Sequence, residues 1–201
     1  MPARKTTPKQ SQNLKRGFKA EAERTASLYR KALALADNAP MPARELATHL
    51  GITILIPQEI PGITQALLDV LLGDEGREQW SAAIFTKNDK KYIIHNPTHS
   101  LARQESNIMH EVSHAICKHQ LKELEYAIKG MVIPLREYDH VQEAEAEHLG
   151  ACLQLPRTAL VHHYCILKRS NEQIAQIFNA SKKMVSFRLS VTGVSKLKFG
   201  T

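Results

Sequence analysis

The sequence is poor in cysteine and aromatics and has no long apolar run. Its three cysteines, Cys117, Cys152 and Cys165, are odd in number, well separated and form no C-x-x-C pair. That argues against a disulfide framework or a cysteine zinc site, and for a reducing, cytoplasmic setting with the thiols as small apolar core residues. Nothing approaches the roughly 18 consecutive apolar residues of a membrane span. The N-terminus is basic, but the hydrophobic segment of a secretory signal does not follow it. No repeat or low-complexity stretch occurs. A chain of 201 residues suits one domain, or one domain with a small appendage.

Charge is unevenly placed. The net +7 conceals a strongly basic start, with nine Lys/Arg against two Glu in residues 1–31, and a basic end, with seven against one in residues 166–201. The middle is acidic, with eleven against seventeen. Basic ends suit nucleic acid or an acidic partner, and they also suit a solvated tail and helix. For the tail, residues 1–16, near-absence of apolar side chains favours disorder.

The pattern predicts a helix from Phe18 to about Ala36, a short helix over 43–50 stopped by Gly51, and a strand over 52–56 ending at Pro57. A short helix or ordered loop follows over 65–72. A β-hairpin is expected over 80–95, then a helix from about Leu101 to His119. Residues 121–140 look irregular, with Gly130 and Pro134 as breakers. Long helices are expected over 141–155, ended by Pro156, and over 157–168. Ser170 and Ser181 then cap a helix-turn-helix pair. The implied fold is α+β, a small sheet of about three strands on a pair of helices. The expected parts are a basic tail (1–16), a main domain (17–165) and a helix-turn-helix-like C-terminal segment (166–201).

Within the helix beginning at Leu101 stands His110-Glu111-Val112-Ser113-His114, an H-E-x-x-H pattern expected by chance about 0.04 times in such a chain. On a helix, i and i+4 share a face, so His110 and His114 can aim at one metal ion. Glu111 faces sideways, within reach of a bound water. Two neutral nitrogen ligands, an open position and a carboxylate base are what a zinc hydrolase needs. The apolar flanks Ile108, Met109, Val112, Ala115 and Ile116 mark the helix as buried, where bare histidines need partners.

A third ligand is expected about thirty residues on. Glu143 and Glu147 share a face with Ala146 and Gly150, whose small side chains would let this helix press against the first. Glu145 points away, nearer Leu149. One of Glu143 and Glu147 is then the ligand, and the other a carboxylate orienting a ligand histidine. His119, nine residues after His110, falls on roughly the opposite side of the helix and reads as a surface or helix-end residue. His140, His148, Tyr92 and Tyr138 are candidates to stabilise an oxyanion, each more simply structural. His162 and His163 read as solvated.

The chain resembles the ImmA/IrrE family of zinc metallo-endopeptidases over about residues 17–195. The resemblance is carried by Arg16-Gly17-Phe18-Lys19, Trp80-Ser81-Ala82, His95-Asn96-Pro97, residues 102–107, the H-E-x-x-H core, and Glu143 through Pro156, which is similar to the family's E-x-x-A-N-x-F-A-x-x-L-L-x-P. It implies Glu143 as third zinc ligand and Glu111 as base, and a protein substrate such as a helix-turn-helix transcriptional repressor. Departures include Glu147 for Asn, Leu149 for Phe, and Gln154 for the second Leu. A second class of function is a DNA-binding regulator working through the basic C-terminal helices, and a third is a toxin–antitoxin component acting by binding.

Overall fold

The computed structural model describes residues 14–119, 123–128, 131–136 and 139–197. Most of the expected disordered tail, and Tyr138, lie outside the described residues. The fold is α+β, as the patterning predicts. Among the described residues no helix is long and apolar enough to cross a membrane.

Helix α1 spans Phe18–Ala32 and α2 spans Ala43–His49. Strand β1, Ile52–Leu55, leads through a connecting segment and α3, Gln65–Leu72, to the hairpin of β2, Ala82–Lys87, and β3, Lys90–His95. Asn88 and Asp89 both have positive φ, 50° and 59°, the backbone a two-residue hairpin turn requires. The sheet order is β1-β3-β2, with β1 parallel and β2 antiparallel to β3. Strand alternation turns the paired Ile84 and Ile93 into the core.

Asn96, just after β3, organises the approach to the next helix. It donates to the carbonyls of Arg77 (2.8 Å) and Trp80 (3.2 Å) and accepts from the Thr98 amide (3.0 Å). Helix α4, Leu101–Ile116, then starts at Ser100, whose hydroxyl caps the Arg103 amide. Its Ile108, Met109 and Val112 pack on the isoleucine face of the sheet.

Residues 121–140 are less irregular than the sequence suggests. They hold strands β4, Glu123–Ile128, and β5, Met131–Arg136, paired as an antiparallel hairpin. Alternation is weak there and Pro134 lies within β5, which hides a strand pattern.

Helix α5, His140–Gln154, is capped by Asp139, whose carboxylate accepts from the Val141 and Gln142 amides. It runs antiparallel to α4, with Ser106 meeting Gln154 at one end and His110 meeting Glu143 at the other. A Cβ on Gly150 would lie 3.3 Å from Ser113 Oγ and 3.4 Å from the Met109 carbonyl, so the expected small-residue face is what lets the backbones approach.

The stretch expected as one helix over 157–168 is a turn of α-helix, α6 (Arg157–Leu160), continued by a π-helical segment, Val161–Ile166. With α7, Asn171–Ile177, and α8, Lys182–Val191, it encloses a second apolar core that includes Leu155, Leu160, Ile174, Val185 and Leu189. Gln154 ties this unit down. Its amide nitrogen donates to the Asn179 carbonyl (3.0 Å), and its oxygen accepts from Ser106 of α4 (3.0 Å). A leucine at this position could make neither bond.

Candidate metal centre

Helical spacing puts His110 and His114 one turn apart on α4, with their Nε2 atoms 3.0 Å from each other. Helix α5 delivers Glu143 to the same point. Its Oε2 lies 3.1 Å from His110 Nε2, and its Oε1 lies 3.6 Å from His114 Nε2. One ligand atom from each of the three side chains falls within 4.8 Å of the others, a group that could hold a metal ion. Donors about 2.1 Å from a tetrahedral ion sit about 3.4 Å apart, and the observed separations bracket that value. The donor chemistry also fits: two imidazoles and a carboxylate offer convergent lone pairs that a cation would satisfy. Of the two glutamates left open by the sequence, Glu143 is the one in the cluster. Glu147 is exposed.

Glu111 is buried, and its Oε2 accepts from the Ile84 amide at 3.0 Å. Strand β2 is an edge of the sheet. Its outward amides have no neighbouring strand in that sheet, and Glu111 engages one of them.

His119 departs from its expected place. Helical extrapolation puts it opposite His110, but α4 ends before it. The Lys118 amide bonds back to the Ala115 carbonyl (3.2 Å), the His119 amide bonds to the His114 carbonyl (3.1 Å), and Lys118 takes a left-handed φ of 53°. This is a Schellman reversal, which folds the chain over the last turn. The His119 ring therefore returns to His114, with Nδ1 to Nδ1 at 2.7 Å. Its Nε2 lies 3.1 Å from Glu145 Oε2. Glu145 is correspondingly buried rather than pointing away, and its other oxygen lies 3.1 Å from Lys15 Nζ. The carboxylate on the far side of His114 is thus Glu145, reached through His119, while Glu147 is exposed. A helix-end histidine five residues after His114 was the available signal. The reversal that makes it useful carries no glycine to announce it.

The other candidates are dispersed. His140 is exposed at the first position of α5. Tyr92 stacks on Phe85 with ring centroids 5.4 Å apart, on the side of the hairpin opposite Ile84 and Ile93, because residues alternate along a strand. His148 is buried against Phe18. Burial first, then Arg188 and Lys19, pushes its pKa down to about 4. His163 is buried, with its Nε2 3.1 Å from the Asn38 carbonyl, which corrects the expectation that it is solvated. The cysteines are unpaired thiols. Burial, followed by nearby acidic charge, raises Cys117 to about 11. Burial also dominates at Cys152, raising it to about 12 despite the opposing charge of Arg188.

Compared with known families, the chain matches the Peptidase_M78 model, described as an IrrE N-terminal-like domain, over residues 61–190. The match spans more than half of the chain and includes every member of the cluster. It indicates a metallopeptidase-type domain. No curated protein matches.

Proposed function

We propose, since the chain belongs to the IrrE N-terminal-like domain family of metallopeptidases, that it is a zinc-dependent endopeptidase. The supporting observation is the convergence of His110, His114 and Glu143 from two packed helices, with buried Glu111 beside it on the same helix. His110, His114 and Glu143 would hold the zinc. When bound, the ion supplies Lewis acidity, polarising a scissile carbonyl and acidifying water. Glu111 is the base: it takes a proton from the attacking water and hands it to the leaving amine. Its bond to the Ile84 amide holds the carboxylate against the edge strand. That same edge, around Ser81–Phe85, would pair with an extended substrate.

The substrate class implied by the family resemblance is a helix-turn-helix transcriptional repressor. DNA binding by α7 and α8 finds less support. Arg188 is spent inside the protein on the Leu155 carbonyl and Glu23, and Lys182 pairs with Glu172 at 2.7 Å. The test is co-expression with a repressor encoded beside this gene. Cleavage that a zinc chelator abolishes in the purified pair supports the assignment, and an intact repressor under zinc-replete conditions counts against it.

A further inference from the structure

The inference drawn here rests on the metal-site reading and deepens it. Behind His114, away from Glu143, lies a buried chain of polar groups: His114 Nδ1, His119 Nδ1 and Nε2, then Glu145, then Lys15 at the surface. The separations are 2.7, 3.1 and 3.1 Å. The side chains of His114, His119 and Glu145 are 1, 6 and 4 % exposed, so water does not compete for these bonds. Three elements converge to build the chain: the end of α4, the first turns of α5, and the segment preceding α1.

The direction of the hydrogen bonds follows from one end. A carboxylate in an ion pair with Lys15 only accepts, so His119 Nε2 carries a proton and donates it to Glu145. With His119 as the neutral imidazole, its single N–H is the one on Nε2, which leaves Nδ1 as an acceptor; a doubly protonated His119 would instead donate from Nδ1 to His114. Two ring nitrogens 2.7 Å apart share one proton, so that proton sits on His114 Nδ1. His114 Nε2 then keeps its lone pair, and Nε2 is the atom that faces His110 and Glu143. Reversing the donor at Glu145 would reverse every link and place a proton where the ion would bind.

We propose that His119 and Glu145 are positioning residues that fix the Nδ1–H tautomer and the ring orientation of His114. The relay has an added histidine compared with a carboxylate bonded directly to a metal-bound histidine. It depends on the Schellman reversal at Lys118, which brings the ring of His119 back over the last helical turn.

The experiment uses the full-length chain with 15N-labelled histidine and free zinc as the probe. Long-range proton–nitrogen spectra read the tautomer of each ring, and competition with a chromophoric chelator reads zinc affinity. Wild type should show protons on His114 Nδ1 and His119 Nε2. Glu145→Gln keeps the size but can donate to His119. It should move the His119 proton to Nδ1 and weaken zinc binding about 10- to 100-fold, whereas Glu145→Asp, still an acceptor, should retain the wild-type tautomers. His119→Phe, which removes the acceptor, should weaken zinc binding over the same range. Zinc affinity at the wild-type level in both Glu145→Gln and His119→Phe would overturn the proposal, as would a proton on His114 Nε2 in wild type. Should the wild-type chain bind no zinc, the metal reading fails by itself. The tautomer of His114 in that chain then still decides this inference: Nδ1–H upholds it and Nε2–H overturns it.

Discussion

Two polar clusters lie along α5, one near each end. Near its start, His110, His114 and Glu143 turn lone pairs toward a common point. Near its end, Arg188 of α8 bonds the Leu155 carbonyl (2.8 Å) and pairs with Glu23 of α1, which also accepts from the Arg157 amide (2.9 Å). The second cluster contains its own cation. Its charges cancel, its donors meet acceptors, and it joins the two apolar cores. The first is made of two imidazoles and a carboxylate that bond to one another and could together hold a metal ion. Burial or the number of ionisable groups does not separate a ligand site from a structural ion pair here. The separation lies in whether the group contains a fixed cation, as the Arg188 guanidinium is, or only imidazole and carboxylate groups that a metal ion could share.

Removing one member of each cluster should therefore have unlike consequences. His114→Ala should lower zinc affinity on the order of 10³-fold or more, while leaving a folded chain by circular dichroism. Binding at wild-type strength in that variant would place the ion elsewhere. Arg188→Met should cost about 3 kcal/mol in urea unfolding, because it leaves Glu23 without its buried partner and a carbonyl unsatisfied. Glu23 is partly exposed, which keeps the figure at the low end. An unchanged midpoint would show that the ion pair contributes nothing net.

The Arg188 cluster also has a pH signature through neighbouring His148. Its folded pKa of about 4 lies below the ordinary 6.5 of an unfolded chain. As pH falls, the unfolded state takes up the proton first. The stabilisation is complete above pH 6.5 and is lost on the way down to pH 4, by up to about 3 kcal/mol. Urea unfolding of wild type and His148→Gln at pH 7 and pH 4.5 tests this: the variant should lose less stability on acidification. Equal losses would refute the assignment.

Near the His114 cluster the smallest expected effect is at Lys118. A non-glycine residue at φ 53° carries a steric penalty on the order of 1 kcal/mol. Lys118→Gly should thus raise the unfolding midpoint slightly and leave zinc affinity unchanged, since the reversal is kept. A lower midpoint would mean the Lys118 side chain does more than complete the turn.

These two clusters also mark what the sequence makes legible. The ligand helix and the small-residue face of α5 follow from helical periodicity, because each depends on spacing within one regular element. The α+β fold and the hairpin are readable for the same reason. Periodicity leaves Glu143 and Glu147 both open, and the family resemblance chooses between them. What depends on a chain reversal or on meeting a distant segment is not. His119 looks misplaced until the helix ends at Ile116, and Glu145 looks remote from the site until His119 and Lys15 arrive. Gln154, read as a departure from the family pattern, becomes intelligible only once the turn at Asn179 folds back to accept its hydrogen bond. The β4–β5 hairpin is hidden by Pro134 and by weak alternation.

In the proposed function, His110, His114 and Glu143 bind zinc while Glu111 does the chemistry. Glu111→Gln separates the two roles. Zinc content per chain should stay at the wild-type level, and repressor cleavage should fall by about 10³-fold, within the range general-base catalysis contributes. Cleavage at the wild-type rate by the zinc-loaded variant would contradict the claim.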